Sequence, residues 1–239
     1  MEISARELRS LATDVDAEHR DGMVSMASDL RELHAETRML RTAATRRDLF
    51  KKAGVGAGVL TIGSVVMPFS RLLPVAAQEL TDGDIAAFAE SVELAAVEAY
   101  KAAADSGKLS APVVEAGTMF ARHHQEHAEA FGGAAGDKAS GKPNPTLLQA
   151  VGGQLKGAAN EKAILQIAYD LENAAASTYL FGLGALKSEA ALKLAASILP
   201  VESQHAVVIG QVLGKPATDF VPAFENQDKA LDPAKFPVK

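Results

Sequence analysis

Apolar residues recur every three to four positions through most of the chain, the spacing of amphipathic helices, and no stretch after Gln78 alternates as a half-buried strand would. Thr81-Asp82-Gly83-Asp84 offers capping groups for a helix over about 85–104, which Asp105-Ser106-Gly107 ends. A second helix is expected over about 111–131, stopping at Gly132-Gly133. Residues 134–145 are rich in Gly, Lys, Pro and Asn and read as a connection. A short helix is expected at about 146–158, and long ones at about 160–183 and 188–213. Gly214-Lys215-Pro216 stops the last of these, and four prolines in 214–239 mark a tail that wraps the surface. Four long helices with a long link between the second and third predict an all-α four-helix bundle with one crossover.

The first 44 residues also have a helical pattern. Leu8, Leu11 and Val15 fall at helical spacing, as do Met23, Met26, Leu30, Leu33 and Leu40. Asp21-Gly22 separates the two stretches, so a solvated helical pair or coiled segment is expected, with His19 and His34 as surface residues.

Charge divides the chain into three zones. Residues 1–44 carry net -3, residues 45–77 net +4 and residues 78–239 net -7. The basic zone is also the most apolar. Thr45-Arg46-Arg47-Asp48-Leu49-Phe50-Lys51 resembles the twin-arginine pattern of bacterial export signals. An uncharged, glycine-containing run follows over 53–69, slightly short of the roughly 20 residues of a comfortable membrane span. Val75-Ala76-Ala77 then provides small residues for cleavage after Ala77. Two readings stand: a cleaved signal peptide, or a retained anchor whose contact with the membrane is through 53–69. Either places the rest of the protein in the periplasm, the cell envelope or the medium, with the twin-arginine translocase as a partner.

Composition narrows the chemistry. The chain has 239 residues and no cysteine, which excludes disulfides, thiolate catalysis and Cys-ligated metal. Net charge is -6, tryptophan is absent and aromatics are 5%, which argues against nucleic acid as a partner. The usable chemistry is carboxylate and imidazole.

Those groups recur in a pattern. Glu93 is followed seven residues on by Tyr100, and Glu172 by Tyr179; seven residues is nearly two helical turns, so each pair shares a face. The second long helix holds His124 and His127, and the fourth holds Glu202 and His205, each pair at i, i+3. Glu93 to Glu172 and Tyr100 to Tyr179 are both 79 residues; His124 to Glu202 and His127 to His205 are both 78. The half-repeat is therefore a helix with Glu-x6-Tyr followed by a helix with an inward histidine. A single Glu on a helix is ordinarily a solvated surface group, as Glu98 is expected to be. Carboxylates facing a bundle core must be paired or metal-bound, because burying a bare charge costs several kcal/mol. The joint pattern points to a metal site.

The order and spacing resemble the ferritin-like superfamily of di-iron and di-manganese carboxylate proteins, over about residues 80–213, and nearest its bacterial members with twin-arginine signals. The phrases Val92 to Tyr100, Leu171 to Tyr179 and Val201 to Ala206 carry the likeness. It implies a ferritin-like four-helix bundle over 78–213 with a crossover between helices 2 and 3. A helical extension (1–44), a signal or anchor helix (45–77) and a Pro-rich tail (214–239) would complete the chain. It also implies Glu93 and Glu172 as terminal carboxylate ligands, Glu202 as a bridge, His127 and His205 as one ligand each, and Tyr100 and Tyr179 as hydrogen-bond partners of ligands or electron donors. The implied cofactor is dinuclear iron or manganese, and the implied activity is ferroxidase-like or peroxide-linked redox. One departure stands out. His124 occupies the place of the second bridging Glu, and imidazole brings neither the charge nor the two oxygens. That leaves open zinc, a single ion, or a degenerate site in a structural module of the cell envelope. A second departure is Pro200, which predicts a kink one turn before the last ligands. The sequence does not address oligomeric state.

Overall fold

A computed structural model describes residues 4–36, 59–62, 65–68, 80–220, 222 and 224–238. Helix α1 spans Ala5–Glu36, and strands β1 (Val59–Ile62) and β2 (Val65–Pro68) follow. Helices α2 (Asp82–Asp105) and α3 (Ala111–Ala135) form the first antiparallel pair; a 3-10 turn (Gly136–Lys138) and the short α4 (Pro145–Gly157) lead to the second, α5 (Glu161–Ala185) and α6 (Glu189–Val212). A four-residue helix α7 (Ala217–Phe220) opens the tail. The all-α four-helix bundle expected from the sequence is what forms, with boundaries within a few residues of those expected.

The helices start where the sequence supplies caps. Thr81 accepts from the Asp84 N–H while the Asp84 side chain accepts from the Thr81 N–H, a reciprocal capping box. Asn144, Asn160 and Ser188 accept from the backbone at the starts of α4, α5 and α6. The Asp82 carboxylate accepts from the Lys187 and Ser188 N–H groups, tying the start of α2 to the α5–α6 turn. The buried Glu90 carboxylate accepts from the Ser140 and Gly141 N–H groups (2.8 and 3.2 Å), so this acid anchors the crossover. Gly132 lets it approach, since a Cβ there would lie 2.9 Å from Glu90 Oε1. Helix α6 runs through Pro200 as one continuous element.

Three clusters of buried apolar side chains make the core. One joins α2, α4 and α5 through Phe88, Val92, Leu147, Val151 and Ile164. The tail contributes Leu231 and Phe236 to it, so it inserts into the core as well as crossing the surface. A second, around Phe131, Tyr179, Leu194 and Ile198, closes the far end of the bundle. The third joins α1 to α3, α5 and α6 through Leu8, Ala12, Val15, Phe120 and Ile209.

That third cluster corrects the reading of the N-terminal extension. Residues 5–36 are one uninterrupted helix, not a pair parted at Asp21-Gly22, and its first half packs on the bundle. Gly22 costs an interior helix about 1 kcal/mol, which the burial of an apolar stripe readily offsets. His19, expected at the surface, is 2% exposed. The His34 side chain lies outside the described residues.

The segment 45–77 also differs where it is described. Residues 59–62 and 65–68 pair as an antiparallel two-stranded hairpin, Ile62 opposite Val65, rather than continuing an expected signal or anchor helix. Five of these eight positions are Val, Ile or Thr, which favour strand, and glycines weaken a helix here. The Arg46-Arg47 pair and the Ala77 cleavage point lie outside the described residues. Among those described, no helix is long and apolar enough to cross a membrane.

Candidate metal centre

Four helices deliver six metal-ligand candidates to one point inside the bundle. Glu93 comes from α2, His124 and His127 from α3, Glu172 from α5, and Glu202 and His205 from α6. All six are at most 2% exposed. They divide into two donor groups, each with its ligand atoms within 4.8 Å of one another: Glu93, His124, His127 and Glu202; and His124, Glu172, Glu202 and His205. Glu202 and His124 belong to both.

Glu202 has the geometry of a bridge. Its Oε1 lies 2.9 Å from His127 Nδ1, and its Oε2 lies 3.8 Å from His205 Nδ1, so its two oxygens face the two groups. Among the described residues, no hydrogen bond with proper angles reaches either oxygen or either nitrogen of His127. Burying polar atoms without well-angled hydrogen bonds costs about 1–3 kcal/mol each, a cost that the 2.9 Å charge pairing of Glu202 with His127 offsets only in part. A cation placed among them would satisfy them.

The tyrosines serve the opposite half of the repeat. Tyr100, two turns after Glu93, donates to Glu172; Tyr179, two turns after Glu172, donates to Glu93. Each terminal carboxylate is thus fixed by a phenol from the other helix pair, as a pseudo-twofold arrangement requires. Burial, then the adjacent Glu172, pushes the Tyr100 pKa well above its usual range, and burial and Glu93 do the same to Tyr179; both stay neutral donors.

His124 breaks the pseudo-symmetry. Its Nδ1 donates to Glu93 Oε2 (2.6 Å) and its Nε2 to Glu172 Oε1 (3.2 Å), so the ring ties the two terminal carboxylates together. Burial opposes charge on His124, but the Glu202, Glu172 and Glu93 carboxylates overcome it and hold the pKa well above the usual value. Against the same opposition, Glu202 and Glu93 raise His127 to about 9, and Glu172 raises His205. Glu93 is lowered to about 2 by its histidine partners despite burial, and Glu172 is held well below the carboxylate range. Without metal the three carboxylates thus face imidazoles whose charged form they favour.

Charge counting tests the fit of a metal. Three carboxylates carry -3. One divalent ion with His124 still charged brings the site to zero, whereas two divalent ions with neutral histidines leave +1 and need one further anion. Oxygen and imidazole donors in this mixture suit iron, manganese or zinc. Two cavities of about 30 Å³ each flank Glu93, one lined by Tyr100, His124 and Glu172 and one by Phe88, Phe131 and Tyr179. Each has room for a small molecule of about the size of water.

Three further residues join the centre that the sequence reading passed over. His123 is fully buried and joins His205 to Asp16 of α1. His19 of α1 stacks on His123, ring centroids 4.2 Å apart, and its Nε2 lies 3.0 Å from Glu126 Oε2. That contact turns Glu126 toward α1 and away from the donor groups. Glu98 is exposed and paired with Lys101, as expected. A signal for the buried α1 face was present: residues 8, 12, 15 and 19 continue one helical stripe, and His19 is its last member.

Comparison with protein families places this architecture. The family described as "Ferritin-like domain" matches residues 81–215, more than half of the chain and all four bundle helices. No curated protein and no solved structure matches the chain at a significant level. A four-helix bundle with one crossover, a paired Glu-x6-Tyr repeat and a buried His/Glu cluster compatible with metal thus coincide with that match, and the chain belongs to the ferritin-like domain family.

Proposed function

We propose that this protein binds iron or manganese at the six-residue centre, where the two donor groups, with Glu202 common to both, would hold a pair of ions, and that its activity is oxidation of Fe2+ by O2 or peroxide. The carrying observation is the convergence of six buried carboxylate and imidazole side chains into two donor groups that share Glu202 and His124. When bound, the metal would supply the redox electrons and a Lewis-acidic centre. The chain supplies the rest. Glu93, Glu172 and Glu202 provide three negative charges that favour the higher oxidation state. Tyr100 and Tyr179 hold the terminal carboxylates in place by donating to them. The two mainly apolar cavities beside Glu93 each have room for a molecule about the size of water.

A second reading has its own observation. The charged His124 already spans Glu93 and Glu172, doing electrostatically what a cation would do. On this reading the centre is degenerate, and the bundle is a structural or binding module of the cell envelope. Elemental analysis of the full chain, purified after expression with iron and manganese and with zinc controlled, separates the two. About two ions per chain, lost in Glu172→Ala, supports the centre. A well-folded, metal-free protein that also fails to take up Fe2+ or Mn2+ supports the second reading and ends the first.

Export by the twin-arginine route belongs to the same proposal, resting on the pattern at 45–77. Cleavage after Ala77, or a membrane segment at 53–69, would part α1 from the bundle it packs against, so the docked form is that of the chain before export. Intact mass of the protein recovered from fractionated bacterial cells reads both location and cleavage.

A further inference from the structure

We infer that Asp16, on the N-terminal helix outside the bundle, is a positioning residue for the metal centre: through His123 it fixes the proton on His205 Nε2 and so leaves His205 Nδ1 for a metal. This inference rests on the metal-binding reading above.

The hydrogen-bond chain has one direction. Asp16 is an ionised carboxylate, paired with Arg122 and with Arg20 (2.8 Å), and so can only accept. His123 Nε2 lies 3.0 Å from Asp16 Oδ1 and must therefore carry the proton. His123 is fully buried between the His19 and His205 rings, and the one carboxylate it faces is already paired with two arginines, so the site accommodates a ring with a single proton and a bare second nitrogen. That nitrogen, Nδ1, lies 2.9 Å from His205 Nε2. A hydrogen bond between two ring nitrogens needs one proton, and only His205 can provide it. His205 then turns its Nδ1 toward Glu172 Oε2 (3.1 Å) and Glu202 Oε2 (3.8 Å), the side on which the second donor group gathers. Packing holds the relay in register: Phe120 stacks on His205 and His19 on His123, with ring centroids 4.1 and 4.2 Å apart.

Carboxylate–histidine–metal arrangements ordinarily place the acid one hydrogen bond from the ligand. Here a second histidine is inserted, and the acid comes from a separate helix. Docking of α1 and readiness of His205 are consequently one event. Loss of Asp16 leaves His123 free to carry its proton on Nδ1. It would then donate to His205 Nε2, and a neutral His205 would be left with its proton on the metal-facing nitrogen.

The test uses the full, metal-free chain with 15N-labelled histidine. Long-range 1H–15N correlation reads which ring nitrogens carry protons, and Mn2+ titration followed by electron paramagnetic resonance reads affinity. The wild type is expected to show His123 protonated at Nε2 only and His205 protonated at Nε2. Asp16→Ala is expected to lose that pattern and to bind Mn2+ about 10–100-fold more weakly. Arg20→Ala, which keeps the His123 bond, is expected to retain both. A wild-type His123 protonated at Nδ1 overturns the inference, and so does an Asp16→Ala variant with unchanged spectrum and affinity. If Asp16→Ala releases α1, shown by amide exchange over 5–21, the wild-type pattern still decides. If the wild type binds no Mn2+, the metal-binding reading fails while the proton pattern continues to judge the relay.

Discussion

Metal uptake should expel protons from the centre, and their number reports what His124 does. In the metal-free protein the buried carboxylates hold His124 and His127 charged near neutral pH and shift His205 in the same direction. A histidine must be neutral to ligate. For His127, with a pKa of about 9, neutralisation at pH 7 spans two units and costs about 3 kcal/mol. Its share of the affinity should therefore strengthen about tenfold per pH unit from 7 to 9 and level off above that. Calorimetric titration of Mn2+ into the metal-free full chain at pH 7, repeated in buffers of different ionisation enthalpy, counts the protons. A release smaller by one proton in His124→Gln than in the wild type means that His124 gives up its proton and enters the coordination. An equal release means that His124 stays charged between Glu93 and Glu172, the arrangement that balances one divalent ion. Tight binding with no buffer dependence would refute the reasoning, because it would require His127 to be neutral before metal arrives.

Four other outcomes follow from the same geometry. The metal-free fold should lose stability as pH rises: His127 goes from an ordinary 6.5 to about 9, so its contribution is complete below 6.5 and is lost through 9, about 3 kcal/mol by urea titration. Docking of α1 should weaken in acid, since His19 is depressed to about 4 by burial and by the nearby His127; its contribution is present above 6.5 and is lost as pH falls through 4, read by amide exchange over 5–21. Glu202→Ala should abolish Mn2+ binding at both donor groups together, because Glu202 is common to them; loss of one ion with retention of the other, by elemental analysis, would contradict the bridge. Tyr179→Phe should destabilise the metal-free fold by about 1–3 kcal/mol in thermal or urea unfolding, by leaving a Glu93 oxygen without its donor, while ion stoichiometry is unchanged.

Much of the architecture was legible because its signals are local. Helix periodicity, the capping groups at Thr81 and the stops at Gly107 and Gly214-Lys215-Pro216 mark α2 to α6 to within a few residues. The 78- and 79-residue offsets announced that Glu93, His124, His127, Glu172, Glu202 and His205 would converge, since a functional repeat at constant spacing survives only if its members meet. The crosswise tyrosine contacts were hidden. Spacing puts Tyr100 on the face of Glu93, yet only packing of α2 against α5 decides that it serves Glu172. Asp16 and His19 were hidden for a different reason: α1 is an amphipathic helix rich in charge, and such a pattern does not say what will cover its apolar stripe.

The sequence by itself determined the class of fold, the helix ends and the identity of a carboxylate–imidazole set, because each depends on period, capping chemistry or composition. Tertiary structure decided which donors share a point, and it revealed that Glu202 faces both groups. It also showed His124 holding two carboxylates at once, and it brought Asp16 within reach of His123 across 107 residues. Those are facts of burial and distance. A buried imidazole takes its protonation from the acids packed around it, and no linear pattern carries that neighbourhood.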